Sequence, residues 1–192
     1  MIELAIGLGV VAVATIAAVR SRSRGIAAPL PAPIPTPEPS EDRLGVGDVL
    51  LHLDDELWLA GSVSLQEAGC VLRLFPTPGG GRVEYVLELH QPSLRWAALR
   101  TTTAIDPGSV PESLRIDGLP LSLARRGLAR VFATGEHLPH VTDRAEYAIF
   151  RGPGGRCAVV IDFAGGSRLA LTGEELAPET FDRLPGSLVA GG

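Results

Sequence analysis

The stretch "GRVEYVLEL" covers residues 81–89, and "DRAEYAIFR" covers residues 143–151, beginning 62 positions later. Both read Arg-x-Glu-Tyr-x-aliphatic, and both are followed by a turn and a second apolar run. Side chains on a β-strand alternate between two faces, so each tyrosine (Tyr85, Tyr147) shares the apolar face, and each preceding glutamate (Glu84, Glu146) lies opposite. The repeated motif is therefore predicted to be structural, with buried tyrosines and exposed glutamates.

The same texture of short alternating runs separated by turn residues extends from Leu44 almost to the end of the chain. Such spacing is typical of an antiparallel all-β domain. The predicted strands are 48–53, 57–65, 70–75, 82–90, 94–101, 113–117, 119–124, 128–136, 144–151, 156–164 and 167–172. The one helix candidate is 178–184, where Pro178 would occupy the first helical position.

These strands fall into two pseudo-repeats, about 44–104 and 113–173. "GDVLLHL…LWLAGSV" and "GLPLSLA…ARVFATG" each give a strand followed by a strand that ends in glycine, at Gly61 and Gly135. The sequence therefore predicts a β-rich domain over 44–186. Its two related half-units, each a small curled sheet or open barrel, would pack into a small barrel or sandwich.

Residues 1–20 are predicted to form a single transmembrane anchor. The eighteen residues 2–19 are almost entirely apolar and would span about 27 Å as a helix, near the lower limit for crossing a bilayer. Arg20, Arg22 and Arg24 follow at once, and basic residues favour the cytoplasmic side. The protein is thus expected to be a single-pass membrane protein with a cytoplasmic C-terminal domain. An export signal, cleaved or uncleaved, is the alternative, because the segment is short and Ala-rich.

Small residues in this segment permit weak self-association. Ala5 and Gly9, and again Ala14 and Ala18, have the small-xxx-small spacing that lets two membrane helices approach closely. The same spacing also arises by chance in an Ala-rich segment.

Residues 21–43, basic and then Pro-rich, are predicted to be a tether. Proline occurs at every second position from Pro29 to Pro39. Proline fixes φ and removes amide donors, so the stretch should be a stiff polyproline spacer of about 3.1 Å per residue. A ligand for a proline-recognising domain is the alternative. Residues 187–192 are predicted to be a disordered tail.

The charged residues exclude several functions. All 17 basic residues are arginine, so Schiff-base chemistry and a phosphate-gripping lysine are both ruled out. From Arg43 onward there are 14 arginines against 18 acidic residues, a balance of −4. Nucleic-acid binders usually present a basic face, so no nucleic-acid partner is expected.

The two cysteines, Cys70 and Cys157, each lie in an apolar strand-like run and lack the spacing of a redox or zinc site. Both are predicted to be reduced, buried hydrophobic residues. A Cys70–Cys157 bond is the alternative if the domain is exported.

One stretch could hold a metal ion. "EHLPHVTD" offers Glu136, His137, His140 and Asp143, a combination of nitrogen and oxygen ligands suited to zinc. Pro139 argues against a helix that would align the histidines, so the stretch is interpreted as a solvated loop. No metal and no cofactor is expected.

Other polar and aromatic residues give weaker signals. Asp54, Asp55 and Asp162 are candidate hydrolytic carboxylates, but their spacing in sequence does not fix their separation in space. Trp58 and Trp96 lie in apolar runs and are interpreted as packing residues, with a ligand groove as the alternative.

The order of several short motifs resembles a bacterial family designated domain of unknown function 4178. The motifs are "VGDVL", "LWLAGSVSL", "EYVLEL…RWAAL", "EYAIFRGPGGRCAVVIDF", "LTGEELAP" and the closing "LPG", and they span about 44–186. The resemblance implies that the domain is linked to a membrane segment. It also implies that its gene lies near genes for a polyamine aminopropyltransferase and for small membrane proteins. It supplies no catalytic residues.

Two hypotheses for function follow. The first is a membrane-tethered, non-catalytic interaction or accessory module, with a membrane protein as partner. The alternative is a small-molecule- or metal-binding domain with a pocket between the two β halves.

Overall fold

A computed structural model describes residues 43–67, 70–79, 81–90, 94–106, 108 and 110–186. The predicted anchor, the predicted tail and the predicted tether up to residue 42 lie outside these residues. Within them, no helix has both the length and the apolar composition needed to cross a bilayer.

The described residues form twelve strands and two single 3₁₀ turns. The strands are β1 (Val49–His52), β2 (Asp55–Trp58), β3 (Gly61–Glu67), β4 (Cys70–Pro76), β5 (Tyr85–His90), β6 (Leu94–Thr101), β7 (Ser113–Ile116), β8 (Leu119–Gly135), β9 (Arg144–Arg151), β10 (Arg156–Phe163), β11 (Arg168–Leu176) and β12 (Asp182–Leu184). The 3₁₀ turns are Pro153–Gly155 and Pro178–Thr180.

Eight strands close into a barrel. They are hydrogen-bonded in the order β3-β4-β5-β6-β11-β10-β9-β8, and β8 pairs with β3 to complete the ring. β7 extends the sheet beside β8, and a separate three-stranded sheet has the order β12-β1-β2. Every pairing is antiparallel, so the prediction of a mainly antiparallel all-β barrel domain is confirmed.

The barrel consists of two four-stranded meanders, β3–β6 and β8–β11. Their first strands pair with each other, and so do their last strands. The two halves thus share one barrel, and the expectation that each forms its own curled sheet or barrel was wrong. The two quoted motifs are also displaced by one strand. Tyr85 begins the third strand of its meander, whereas Tyr147 lies in the second strand of the other.

β8 replaces two predicted strands. The predicted segments 119–124 and 128–136 form one continuous strand, which pairs over 122–130 with β9 and over 130–135 with β3. Conversely, the predicted strand 57–65 divides into β2 and β3, which belong to different sheets. Leu59 and Ala60 make the corner, where their amides donate to the Asp48 and Pro76 carbonyls outside the regular ladders.

The barrel interior is filled by side chains, as expected for eight strands. Its buried residues are Val63, Leu65, Cys70, Leu72, Leu74, Leu87, Leu89, Ala97, Leu99, Ala129, Ala145, Tyr147, Ile149, Cys157, Val159, Ile161, Phe163 and Leu171. The interior is therefore a packed core.

Two further hydrophobic cores lie between the outer face of the barrel and the segments that pack on it. The three-stranded sheet packs on β4–β6 through Leu44, Leu50, Leu57, Leu59, Phe75, Val86, Trp96 and Phe181. Ile105 and β7 pack on β8–β10 in a core made of Ile105, Ile116, Leu121, Ala148, Phe150, Ala158 and Val160. Strands in both regions are consequently buried on both faces.

The predicted helix at 178–184 is absent from the structure. Pro178–Thr180 makes one 3₁₀ turn, and the chain then extends as β12, which pairs with β1. Phe181 explains the difference, because its side chain is buried against Trp96 with ring centroids 5.4 Å apart. Tertiary packing here overrides the local preference.

Buried charged side chains bind the main chain where it enters the domain. Glu88, 2% exposed, accepts a hydrogen bond from the Leu44 amide at 2.9 Å, and its cross-strand partner Arg73 donates to the Leu44 carbonyl at 2.7 Å. Asp48 accepts from the amides of Gly45 and Gly186, at 2.6 and 2.8 Å. The first and last described segments are thereby joined.

Closure of the barrel requires glycine at two paired positions, Gly61 and Gly135. A Cβ on Gly135 would lie 2.6 Å from the Ala60 carbonyl oxygen, and φ there is +91°. Gly118 has a similar φ of +79°, but a Cβ added there would have no atom within 4 Å. A substitution at Gly118 therefore tests the backbone strain alone, without a steric contact.

We expect Gly118→Ala to lower the free energy of unfolding by about 1–2 kcal/mol, the cost of a left-handed non-glycine residue. Gly135→Ala should cost roughly 2–5 kcal/mol, because overpacking against backbone atoms adds to that strain. Chemical unfolding followed by circular dichroism measures both. Equal losses in the two variants would show that β3 and β8 do not need this close approach.

Candidate functional site

The loop between β8 and β9 carries the four candidate metal ligands. Glu136, His137, His140 and Asp143 are all exposed. Among the residues described, no three His, Cys, Asp or Glu side chains lie close enough together to hold a metal ion. The H-x-x-H spacing aligns two side chains on a helix, whereas here the backbone is a loop.

His137 contacts Trp58 instead. The two rings meet edge to face, with centroids 6.3 Å apart and an interplanar angle of 75°. The His137 backbone is left-handed, with φ 55°, which aims the ring toward the end of β2. Trp58 is 41% exposed, so this aromatic pair is open to solvent.

A hollow adjoins His137 at the same end of the barrel, and we call it the end groove. Its volume is about 500 Å³, within the range of small-molecule sites. It is lined by Pro76, Thr77, Pro78, Gly79, Gly81, Val83, Glu84, Tyr85 and His137. The groove thus joins the first quoted motif to His137, one of the candidate metal ligands.

Tyr85 and Glu84 contribute polar groups to this groove. Burial raises the pKa of the Tyr85 phenol, and the neighbouring Glu84 charge adds to the effect. The phenol is therefore protonated at neutral pH and can donate a hydrogen bond. Glu84 accepts hydrogen bonds from the Thr101 amide at 3.2 Å and from its hydroxyl at 2.7 Å.

The second quoted motif forms a polar cluster at the opposite end of the barrel. The Tyr147 hydroxyl donates to Glu67 Oε2 at 2.6 Å, and Arg125 Nε donates to the same hydroxyl at 2.7 Å. Arg125 also contacts Glu67 Oε2 at 3.0 Å. Gly127, opposite Tyr147 on β8, provides the room, because a Cβ there would lie 2.8 Å from the tyrosine ring.

The cluster stabilises fixed protonation states. The hydrogen bonds from Tyr147 and then Arg125 lower the pKa of Glu67. Burial, followed by the hydrogen bond to Glu67, raises the pKa of Tyr147 well above its usual value. A catalytic tyrosine needs a pKa shifted toward neutrality, so the shift here is opposite to that of an acid–base catalyst.

The side chains of the two motifs point to the predicted faces, but the two tyrosines are not equally buried. Glu84 and Glu146 are both exposed, and both tyrosines point toward the barrel interior. Tyr147 is buried, whereas Tyr85 is only half-buried because it lies at the first residue of β5 beside the end groove. The tyrosines therefore have different surroundings.

The candidate hydrolytic carboxylates are dispersed. Asp54 lies in the β1–β2 turn and Asp55 in β2, both within the three-stranded sheet. Asp162 is on β10, where Arg168 binds it through two hydrogen bonds, one of 2.7 Å to Oδ2. The structure does not bring a hydrolytic pair together from these three residues.

The cysteines and the second tryptophan are packing residues. Cys70 and Cys157 are free thiols buried in the barrel interior. Burial, with a smaller effect from the Glu175 charge, raises the pKa of Cys157 to about 12, so this thiol is not a nucleophile at neutral pH. Trp96 is buried beneath the three-stranded sheet, and its Nε1 has no hydrogen-bond partner among the described residues.

Sequence reasoning missed the Arg73–Glu88 pair and Asp48, which it did not distinguish from surface charges. The period of two places Glu88 on the outward face of its strand. That face also carries Val86, and Phe75 lies outward beside Arg73. These two apolar residues were the available signal that the outward face is itself covered.

Comparison with known proteins gave no relative. No family model matches the chain, and neither a curated protein nor a solved structure matches it. The resemblance to domain of unknown function 4178 remains a prediction.

Tyr→Phe variants compare how much the hydroxyl of each tyrosine contributes to stability. Tyr147→Phe should lower the free energy of unfolding by about 1–3 kcal/mol, because Glu67 and Arg125 lose a buried hydrogen-bond partner. Tyr85→Phe should cost less than about 0.5 kcal/mol, since its hydroxyl has no partner among the described residues. Denaturant titration of both variants checks this. Equal costs would contradict the assignment.

The lowered pKa of Glu67 predicts a pH dependence. An acid whose folded pKa lies below its unfolded value, here 4.5, stabilises the fold fully above that value and loses the effect as pH falls through the folded pKa. The gap in melting temperature between the natural protein and Glu67→Gln should be widest at neutral pH. It should narrow as pH falls below about 4. A gap independent of pH would show that the charge of Glu67 is unimportant.

Proposed function

We propose that this protein is a membrane-tethered β-barrel domain that displays a binding surface to a membrane-protein partner and does not catalyse a reaction. The apolar segment at 2–19, the arginines that follow it and the Pro-rich spacer support the tether and a cytoplasmic domain. The acidic balance of the domain is consistent with a partner other than nucleic acid.

The observation that carries the proposal is the exposed Trp58–His137 pair beside the end groove. Tryptophan is enriched among residues that dominate binding energy, and partly exposed aromatic pairs next to a hollow accept an apolar anchor well. The packed barrel interior supports the same conclusion, since it offers no chamber for a substrate. At the far end of the barrel, the polar groups of Tyr147, Glu67 and Arg125 hold each other in place by hydrogen bonds.

The partner that fits this surface is an extended segment with an apolar or proline anchor. Pro76, Pro78 and Gly79 give the end groove a wall of backbone and rings, and Tyr85 offers a hydroxyl donor. Aromatic-lined grooves of this type bind extended chains. The tether would keep the surface near other membrane proteins, so a weak contact would suffice for association.

We also infer that the two meanders are related β units joined at two seams. Their identical strand count, their sequential order and their first-to-first and last-to-last pairing support this. The tyrosine motifs are then not the equivalent positions. If the two meanders are related units, we expect binding sites at the seams where they meet.

A small-molecule site between the two halves is the second candidate. The end groove favours it, because residues 76–85 come from the first meander and His137 follows the first strand of the second. The volume of the end groove supports binding of a small molecule. The metal-binding form has no set of three ligands among the described residues.

Photo-crosslinking in intact cells tests the display function. A benzoylphenylalanine at position 58, 41% exposed, is compared with one at Leu119, which is 39% exposed on β8. We expect a covalent adduct with one membrane protein at position 58 only, lost in His137→Ala and retained in Glu146→Ala. Adducts of equal yield at both positions, or none at position 58, would contradict the proposal. In the latter case a saturable thermal shift with small molecules, abolished by His137→Ala, would favour the second candidate.

A further inference from the structure

A second hollow, the seam groove, lies on the outer wall where the two meanders meet. Its floor includes Val83, Ala98 and Leu176, and its volume is about 370 Å³. Its lining also includes residues of the β1–β2 turn and the β7–β8 turn, so loops from both halves border it. The size and the partly apolar floor are those of a small-molecule site.

Charges of both signs face this groove without neutralising each other. Arg82 and Arg100 form no ion pair with any described residue, and the same holds for Asp55 and Asp117. By contrast, the neighbouring Arg156 and Glu174 satisfy each other at 3.1 Å. Arg82, Arg100 and Asp117 are exposed, so their charges are open to a ligand of complementary charge.

The free charges are distributed along the groove. Arg100 lies two residues beyond Ala98 on β6, near the Glu84–Thr101 contact, and Arg82 belongs to the same region. Asp117 is at the β7–β8 turn, which packs beside the β9–β10 turn. There, a Cβ on Gly152 would lie 2.9 Å from the Pro120 carbonyl oxygen. Arg100 thus reaches the groove from its place opposite Thr172 in the ladder, whereas Asp117 reaches it from the β7–β8 turn.

The rim of the groove carries an unfavourably placed leucine. Leu53, at the β1–β2 turn, is 90% exposed and has φ 54°. Hairpin positions with positive φ normally hold Gly, Asn or Asp, as Asp117 and Gly118 do in the β7–β8 turn. Leu53 therefore lacks both a favourable backbone conformation and a buried environment. Such outliers concentrate at ligand-binding sites.

We propose that the seam groove binds a small zwitterion of dipeptide size with an apolar side chain. The ligand carboxylate pairs with Arg82 and Arg100, and its ammonium group pairs with Asp117. Its apolar side chain lies on the groove floor, and Leu53 covers it. The seam groove adjoins the end groove at Val83, but none of its charged residues lines the end groove, so the proposal does not rest on the display function.

Binding of leucyl-leucine to the full chain in lipid nanodiscs tests the site by calorimetry. Two analogues remove one charge each: N-acetyl-leucyl-leucine lacks the ammonium group, and leucyl-leucine amide lacks the carboxylate. We expect saturable binding of leucyl-leucine and a loss of about tenfold or more with each analogue, since a charged hydrogen bond has that weight. Absence of saturable binding, or equal affinity for all three compounds, overturns the proposal.

Variants locate the binding within the seam groove. Arg100→Gln and Asp117→Asn should each weaken binding about tenfold or more, and asparagine keeps the turn conformation. Arg130→Gln is the matched control, because Arg130 is another arginine without an ion pair in the described residues but lies on β8. Equal affinity in Arg100→Gln and Arg130→Gln overturns the assignment.

Leu53→Asn distinguishes a binding role from a structural one. Asparagine tolerates the positive φ and the exposure, so the melting temperature should rise while the affinity for leucyl-leucine falls. A rise in melting temperature with unchanged affinity would remove Leu53 from the site. Circular dichroism confirms that each variant is folded.

Discussion

The pairing of β3 with the second part of β8 determines the architecture. Without it, β3 and the second part of β8 would be free edges, and this one contact joins the eight barrel strands into a ring, with β7 beside β8 outside it. The contact demands backbone atoms at close range, which only the paired glycines Gly61 and Gly135 permit. Once the ring is closed, alternate residues of every barrel strand must face a single interior.

A closed ring also dictates what happens outside it. Apolar residues that point outward, such as Phe75 and Phe150, need a cover, and the chain supplies one on each side. The three-stranded sheet covers the first meander, and Ile105 and β7 cover the second. The hollows described above lie where these covers stop, which is why binding surfaces are expected at the barrel end and at the seam.

Local patterns in the sequence were enough to predict the strands and the all-β class. The runs around Tyr85, Trp96 and Tyr147 alternate clearly, and their strands were found within a few residues of the expected limits. Strand continuity was harder, because Gly127 in the middle of β8 resembles a turn but makes room for a tyrosine across the ladder. Likewise, Phe181 changes a predicted helix into a short strand through contacts distant in sequence.

The site was less accessible to sequence reasoning than the fold. His137 was interpreted as a solvated loop residue and a candidate metal ligand, and its neighbour Trp58 lies in a strand 79 positions earlier. Free and paired charges also look alike in a sequence. Arg100 and Arg156 differ only because Glu174 stands opposite the second and not the first. Such distinctions depend on strand order, which local periodicity does not specify.

The hydrogen bonds at Leu44 have a mechanical consequence. A pull on the domain from its N-terminal side first meets the main-chain atoms of Leu44, which Glu88 and Arg73 hold from two central barrel strands. The tension therefore passes directly into the barrel wall, and β1, which follows in the chain, is shielded from being peeled off its sheet. A hinge at this point would transmit little torque, whereas this attachment makes the domain follow the motion of whatever holds its N-terminal end.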